Sequence, residues 1–215
     1  MLAFHNDPAV KAKYLARVKA HRAADDLRHG VYWERGKGCA VGCTIHGSDH
    51  AAYERELGIP RILARLEDGI FERLSSPHDQ AWPQEFLEAI PVGADLSLVW
   101  PRFALALLAD EEYGMLQYIE HARHAQQKEA IERIIALYQA WAKTGTKPAA
   151  AACADAAAAC AAAACAAADA AAADAVYAAD AAYAAAYAAS AADAAGQRQH
   201  ILWQNQTLLA LLREA

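Results

Sequence analysis

Two cysteines and two histidines lie close together in the N-terminal part of the chain. Cys39, Cys43, His46 and His50 follow the spacing C-x3-C-x2-H-x3-H. Thiolate and imidazole are the ligands that Zn²⁺ and its softer neighbours prefer, and four of them complete a tetrahedron. Glycines within the same stretch give the backbone freedom to wrap an ion. The segment therefore predicts a site for zinc or another transition metal at these four residues.

The same segment also fits a second interpretation, a Cys-dependent enzyme that carries out acyl or other group transfer, or hydrolysis. A cysteine beside a histidine and a carboxylate is held as a reactive thiolate. The candidates are Cys39 or Cys43 as nucleophile, His46 or His50 as base, and Asp49 or Glu54 as the carboxylate that orients the base. The glycine-rich backbone would present N–H groups to an oxyanion.

A third interpretation is structural, because cysteine is often buried as a small apolar residue and glycines often form turns. The sequence leaves these three interpretations open, and with them the question of whether the protein is an enzyme. No motif for an organic cofactor accompanies the cysteines and histidines.

The segment from Tyr32 to Thr44, which contains Gly-Lys-Gly-Cys-Ala-Val-Gly-Cys-Thr, resembles a family of uncharacterised bacterial and phage proteins. Members combine this kind of motif with Leu-Gly-Ile-Pro, here residues 57–60, with Ile-Pro-Val-Gly-Ala-Asp, here residues 90–95, and with an Ala-rich C-terminal region. The resemblance covers most of the chain. It implies a shared organisation and no particular activity.

Alanine dominates the C-terminal third. Between Ala149 and Ala195, 34 of the 47 residues are alanine, and the segment contains neither glycine nor proline. Alanine has the highest helix propensity, so we expect one long helix or a helical hairpin. Closely packed alanine faces would make this region a surface for self-association or for a protein partner. Besides the metal-site and enzyme hypotheses, the sequence therefore allows a third function, an interaction or oligomerisation module without a catalytic site.

The remaining elements also indicate an all-α protein, a helical bundle body followed by the Ala-rich region. Asp7 and Pro8 predict the start of a helix that continues to Gly30. Pro83 predicts the start of another helix, and an amphipathic pattern predicts a long one from Met115 to Trp141. Gly145 and Pro148 mark a boundary, so we expect a compact body at residues 1–147 and a helical region at 148–215 whose amphipathic tail packs back.

Charge argues against nucleic acid and membrane partners. The chain has a net charge of −6, and the Ala-rich segment contains no Lys or Arg at all. A nucleic-acid surface needs such cations. The aspartates of the segment would be costly in a bilayer core. Five cysteines without a disulfide spacing favour a reducing compartment, so we expect a cytoplasmic protein.

Overall fold

A computed structural model of the chain describes residues 1–118, 125–149 and 194–215, and it confirms the all-α class. The helices are α1 (Pro8–Ala23), α2 (Ala40–Ile45), α3 (Arg61–Phe71), α4 (His78–Ala89), α5 (Val99–Ala109), α6 (Ala125–Thr144) and α7 (Ala194–Arg213). Short 3₁₀ turns occur at Ala3–Asn6, Leu96–Leu98 and Met115–Tyr118, and a π-helical turn occurs at Tyr53–Leu57. Two short strands, β1 (Trp33–Glu34) and β2 (Lys37–Gly38), form an antiparallel hairpin.

Helix α1 begins where the sequence predicts and ends earlier. The Asp7 carboxylate accepts a hydrogen bond from the Ala9 N–H at 2.8 Å, which caps the helix. The expected continuation to Gly30 is wrong, because Asp25 adopts a left-handed φ of 53° just after Ala23. The chain then turns to pair with the hairpin, and Gly38 N–H donates to the Asp26 carbonyl at 3.1 Å.

The start predicted for α4 is also wrong. Pro83 lies inside the helix, which begins at His78. Trp82 is fully buried, and its indole N–H donates to the Glu67 carbonyl of α3 at 2.8 Å. This contact holds the residues before Pro83 against α3, so they are already helical when the proline is reached.

The contacts divide the chain into two compact units. The first contains Met1–Trp100 and Ile201–Ala215, and the second contains Pro101–His200. In the first unit α1 packs on α2 and α4, while α3 packs on α2 and α4. In the second unit, one buried cluster of the described residues contains Leu108, Met115, Ile131, Ile134 and Ile135.

The C-terminal tail is helical, as its amphipathic pattern predicts, and buries Ile201, Leu208, Leu209 and Leu212. The Ala-rich helix or hairpin, and the self-association expected of it, fall almost wholly within residues 150–193, outside the described residues. The domain boundary at 147–148 stays a prediction. Within the described ranges, no helix is long and apolar enough to cross a membrane.

Candidate functional site

The glycine-rich motif folds into the β-hairpin and the short helix α2. Trp33 in β1 pairs with Gly38 in β2. Cys39 follows directly and caps α2, since its Sγ accepts a hydrogen bond from the Gly42 N–H at 3.5 Å. The hairpin and the helix together place Cys39 at their junction, where the residue is only 1% exposed.

Two glycines let the backbone of Tyr32 lie directly against this junction. A Cβ atom would come within 2.0 Å of the Tyr32 carbonyl oxygen at Gly38, and within 1.5 Å at Gly42. Any side chain at either position would have to displace the backbone of the hairpin. These glycines therefore serve close packing, which fixes the position of Cys39 relative to β1.

Cys39 lies beside two carboxylates at the C-terminal end of α3. Asp68 and Glu72 are four residues apart, so they share one face of the helix. One ligand atom from each of Cys39, Asp68 and Glu72 lies within 4.8 Å of the other two. Among the residues that the structure describes, this is the one such group of three or more His, Cys, Asp or Glu side chains. Cys39 and Asp68 are buried, whereas the Glu72 side chain is 33% exposed, so solvent reaches the group from Glu72.

Neighbouring groups hold each carboxylate. His50 Nε2 lies 3.3 Å from Asp68 Oδ2. The other oxygen, Oδ1, is buried and has no hydrogen-bond partner within the described part of the chain. Glu72 Oε2 accepts a hydrogen bond from the Gly30 N–H at 2.8 Å and lies 3.8 Å from His29 Nδ1. In each carboxylate, the contacts that orient the group are made by one of its two oxygens.

The environment of Cys39 and Cys43 favours the protonated thiol over the thiolate. Burial raises the pKa of Cys39, and the adjacent Asp68 carboxylate raises it further. Burial likewise raises the pKa of Cys43 to about 12. A cysteine nucleophile needs the opposite shift, so this environment does not support attack by either thiol. A bound cation would reverse the balance at Cys39, because a metal ion competes with the proton for the sulfur.

Cys43 points away from the two carboxylates. Its Sγ donates a hydrogen bond to the Gly38 carbonyl at 3.4 Å and lies 4.0 Å from the Asp26 carbonyl. The residue is completely buried. Cys43 thus fills the space beneath the hairpin, in keeping with the structural interpretation of this residue.

His46 belongs to a separate cluster. Its Nε2 lies 2.8 Å from Nε2 of His21, which comes from α1. Its ring stacks on Trp33 with a centroid separation of 4.5 Å and an interplanar angle of 13°. His21 Nδ1 in turn lies 3.2 Å from the Asp26 carboxylate. Burial lowers the pKa of His46, and the charges of Arg17 and His21 lower it further.

Asp49 does not orient the predicted bases. Its Oδ1 accepts a hydrogen bond from the Ala51 N–H at 2.9 Å, and its Oδ2 pairs with Arg55 at 2.7 Å. The hydrogen bond from Arg55 lowers the pKa of this exposed carboxyl. The carboxylate that contacts His50 is Asp68 instead.

The four predicted ligands, all of them described residues, are therefore not gathered into one tetrahedral set. Cys39 joins the carboxylates of α3, and His50 contacts that group through Asp68. Cys39 and His46 occupy opposite ends of α2, which at 1.5 Å per residue separates their backbones by ~10 Å. This separation explains why His46 does not accompany Cys39. Cys43 is closer in sequence, but its Sγ donates to the Gly38 carbonyl instead.

Sequence reasoning missed Asp68, Glu72 and His21. The available signal was the acidic pair Glu67-Asp68 within the apolar stripe of α3, since a carboxylate facing a core needs a partner. Glu67 is itself fully buried and accepts a hydrogen bond from the Tyr53 hydroxyl at 2.5 Å.

A cleft of about 550 Å³ opens between the hairpin and the end of α2. Residues 30–34, Gly47 and Ser48 form its walls. The Tyr32 ring in this wall contacts the His50 ring edge-on at 5.6 Å, and Trp33 carries the stacked His46 ring. The thiol–carboxylate group and the histidine pair therefore both contact residues that line one cleft.

Comparisons with known proteins do not extend this description: no family model, no curated protein and no solved structure matches the chain.

Proposed function

We propose that the protein binds a divalent transition metal ion, with zinc as the expected metal, through Cys39, Asp68 and Glu72. The observation that carries the proposal is the convergence of one thiol and two carboxylates within 4.8 Å of one another. Sulfur and oxygen ligands at bond lengths of 2.0–2.3 Å lie about 3.3–3.8 Å apart around a tetrahedral ion. Small side-chain rotations bring the three donor atoms to that separation.

The buried carboxylate of Asp68 supports the proposal. Its Oδ1 is buried and has no hydrogen-bond partner among the described residues, which is costly for a charged oxygen. An ion at this oxygen removes that cost. Asp68 Oδ2 is held by His50 and Glu72 Oε2 by the Gly30 N–H, so both carboxylates are oriented before an ion binds. Such outer contacts orient the ligands of protein metal sites.

The donor set favours zinc over magnesium or calcium. A thiolate is a soft ligand that suits Zn²⁺, Co²⁺ and Fe²⁺, whereas Mg²⁺ and Ca²⁺ prefer oxygen ligands alone. Three protein ligands leave one position of a tetrahedron for water or a ligand, on the side where Glu72 meets solvent. Cys43 and His46 are not ligands in this proposal, and His50 positions Asp68.

A reducing compartment suits such a site, because an oxidised cysteine cannot bind zinc. Cys39 and Cys43 are both free thiols in the described structure. We therefore keep the cytoplasm as the proposed location.

Cobalt(II) absorption tests the proposal, because a cobalt–thiolate bond gives a charge-transfer band in the near ultraviolet. The titration uses the full chain without a polyhistidine tag, in a background where Cys153, Cys160 and Cys165 are replaced by alanine. We expect the band to form, to disappear in Cys39→Ser and to persist in Cys43→Ser. The second variant is the matched control, since Cys43 is equally buried and close in sequence.

Two further variants test the carboxylates. Asp68→Asn and Glu72→Gln keep the size of each side chain and remove its charge, so we expect each to weaken cobalt and zinc binding at least tenfold. Glu85→Gln on α4 is the control for a change of charge alone. A band that survives Cys39→Ser, or equal loss in the Cys39 and Cys43 variants, would overturn the proposal.

A further inference from the structure

His21 and His46 bring two imidazole nitrogens together from distant parts of the sequence. His21 lies on α1 and His46 is the C-cap of α2, yet their Nε2 atoms are 2.8 Å apart. The ring planes are nearly perpendicular, with centroids 5.1 Å apart and an interplanar angle of 84°. Each ring therefore directs a nitrogen at the other ring's nitrogen.

The Asp26 carboxylate selects the tautomer of a neutral His21 ring. Asp26 Oδ2 lies 3.2 Å from His21 Nδ1, so the carboxylate accepts the Nδ1 proton. In a neutral imidazole the other nitrogen then carries a lone pair, which leaves Nε2 of His21 available as a metal ligand. A carboxylate on the far nitrogen of a ligating histidine is the usual outer contact in protein metal sites, and it increases the basicity of the ligand.

The backbone at His46 is in a conformation that glycine would adopt more easily. Its φ and ψ are 54° and 48°, in the left-handed region, and Gly47 follows immediately. Helices usually place glycine at such a terminal position, since a side chain there adds strain. The strained position is stabilised by the stack of the His46 ring on Trp33, which directs Nε2 toward His21.

We propose that His21 and His46 form a second metal site, a pair of imidazole ligands for an ion such as Ni²⁺, Cu²⁺ or Zn²⁺. Ligand bonds of 2.0–2.1 Å place two such nitrogens about 3.3 Å apart around a tetrahedral ion, so the rings must separate by about 0.5 Å and rotate until both nitrogen lone pairs face the ion. Imidazole suits these three metals, and the Irving–Williams order places Cu²⁺ and Ni²⁺ above the lighter ions. The remaining coordination positions face the exposed side of His46 and belong to water.

The second site is chemically different from the thiolate site. The nearby Cys43 thiol contacts the Gly38 and Asp26 carbonyls and is not a ligand in this proposal. The protein ligands of the second site are therefore the two imidazole nitrogens of His21 and His46. Nickel is the best probe, because Cu²⁺ oxidises thiols and zinc also suits Cys39. The proposal does not depend on the thiolate site, and each site has its own variants.

Calorimetric titration with Ni²⁺ tests the pair in the full chain without a polyhistidine tag. We expect His21→Ala and His46→Gly each to weaken the same nickel-binding event at least tenfold. His46→Gly is the sharper variant, since glycine suits a φ of 54° and the chain should still fold. His78→Ala, at an exposed histidine at the start of α4, is the control and should leave that event unchanged.

Cys39→Ser separates the two proposals. Nickel binding that persists in this variant assigns the event to the histidine pair, whatever happens to the cobalt–thiolate band. Nickel binding that survives both histidine variants, or that is lost in Cys39→Ser, would overturn the second site. Absence of nickel binding in the wild-type chain, as expected if His21 and His46 form only a hydrogen bond, would also overturn it.

Discussion

The imidazole of His50 lies 3.3 Å from Oδ2 of Asp68, at the edge of the group that contains Cys39 and Glu72. The contact holds one carboxylate oxygen, while the other is buried without a hydrogen-bond partner among the described residues. His50 therefore orients Asp68, and in the proposed metal site it is not itself a ligand.

Removal of the His50 side chain should weaken metal binding without removing the thiolate ligand. We expect His50→Ala to lower the affinity for Co²⁺ by about 10–100-fold, the usual effect of losing an outer contact of a ligand. The cobalt–thiolate band should still reach full intensity at saturation, because Cys39 is intact. Affinity is measured by competition with a chromophoric chelator.

The conservative variant His50→Gln distinguishes a positioning role from a purely structural one. A glutamine amide also donates a hydrogen bond to Asp68, so we expect partial recovery of the affinity. Equal affinity in wild type and His50→Ala would contradict the role of His50, and so would loss of the band at saturation.

The close packing of Gly42 against Tyr32 should make this position intolerant of any side chain. A Cβ atom would lie 1.5 Å from the Tyr32 carbonyl oxygen, so we expect Gly42→Ala to lower the free energy of unfolding by about 3 kcal/mol or more. Urea denaturation followed by circular dichroism measures the change. At Gly47 a Cβ atom would meet no described atom within 4 Å, so Gly47→Ala should change stability by about 0.5 kcal/mol or less. Similar effects at the two positions would be inconsistent with the packing described.

Alkaline pH should destabilise the protein through Tyr14. Burial raises the pKa of Tyr14 to about 12, and the hydrogen bond to Glu56 adds to this shift. Because the folded pKa lies above the unfolded value of about 10, the stabilisation is complete below that value and is lost as pH rises toward 12. Urea denaturation across this range should show a steeper decline for wild type than for Tyr14→Phe. Parallel curves for the two proteins would show that Tyr14 does not contribute.

The thiols of Cys39 and Cys43 should react slowly in the folded protein. Both are buried, and burial raises the pKa of each, so little thiolate is present at about pH 8. We expect iodoacetamide to label both far more slowly than a free cysteine, and at the ordinary rate once the chain is unfolded. Peptide mass spectrometry resolves the two sites. Rapid labelling of either thiol in the folded chain would restore the nucleophile hypothesis.

Local signals predicted the start of α1 correctly but not its end. Asp7 and Pro8 determine where α1 begins, because capping depends on neighbouring residues alone. The end of α1 depends on Asp26, whose backbone pairs with Gly38 twelve residues later, and a local pattern does not contain that contact. The start predicted for α4 at Pro83 failed for the same reason, since Trp82 is held by α3.

The candidate site was predictable in part. Cys39 was identified from the density of cysteine and histidine, and His50 was placed in the same region. Their partners Asp68 and Glu72 lie on a different helix, and only packing of α3 against α2 brings them to Cys39. The glycines at residues 36–47 also predicted one flexible loop that could wrap an ion. Gly42 instead belongs to a short helix that separates the ends of the motif.

X-ray absorption at the zinc K-edge tests the central claim most directly. The sample is His46→Gly loaded with one equivalent of Zn²⁺, which confines the metal to the thiolate site. We expect one sulfur at about 2.3 Å and oxygen ligands at about 2.0–2.2 Å. A zinc shell with two sulfurs, or with nitrogen and oxygen alone, would contradict binding by Cys39, Asp68 and Glu72.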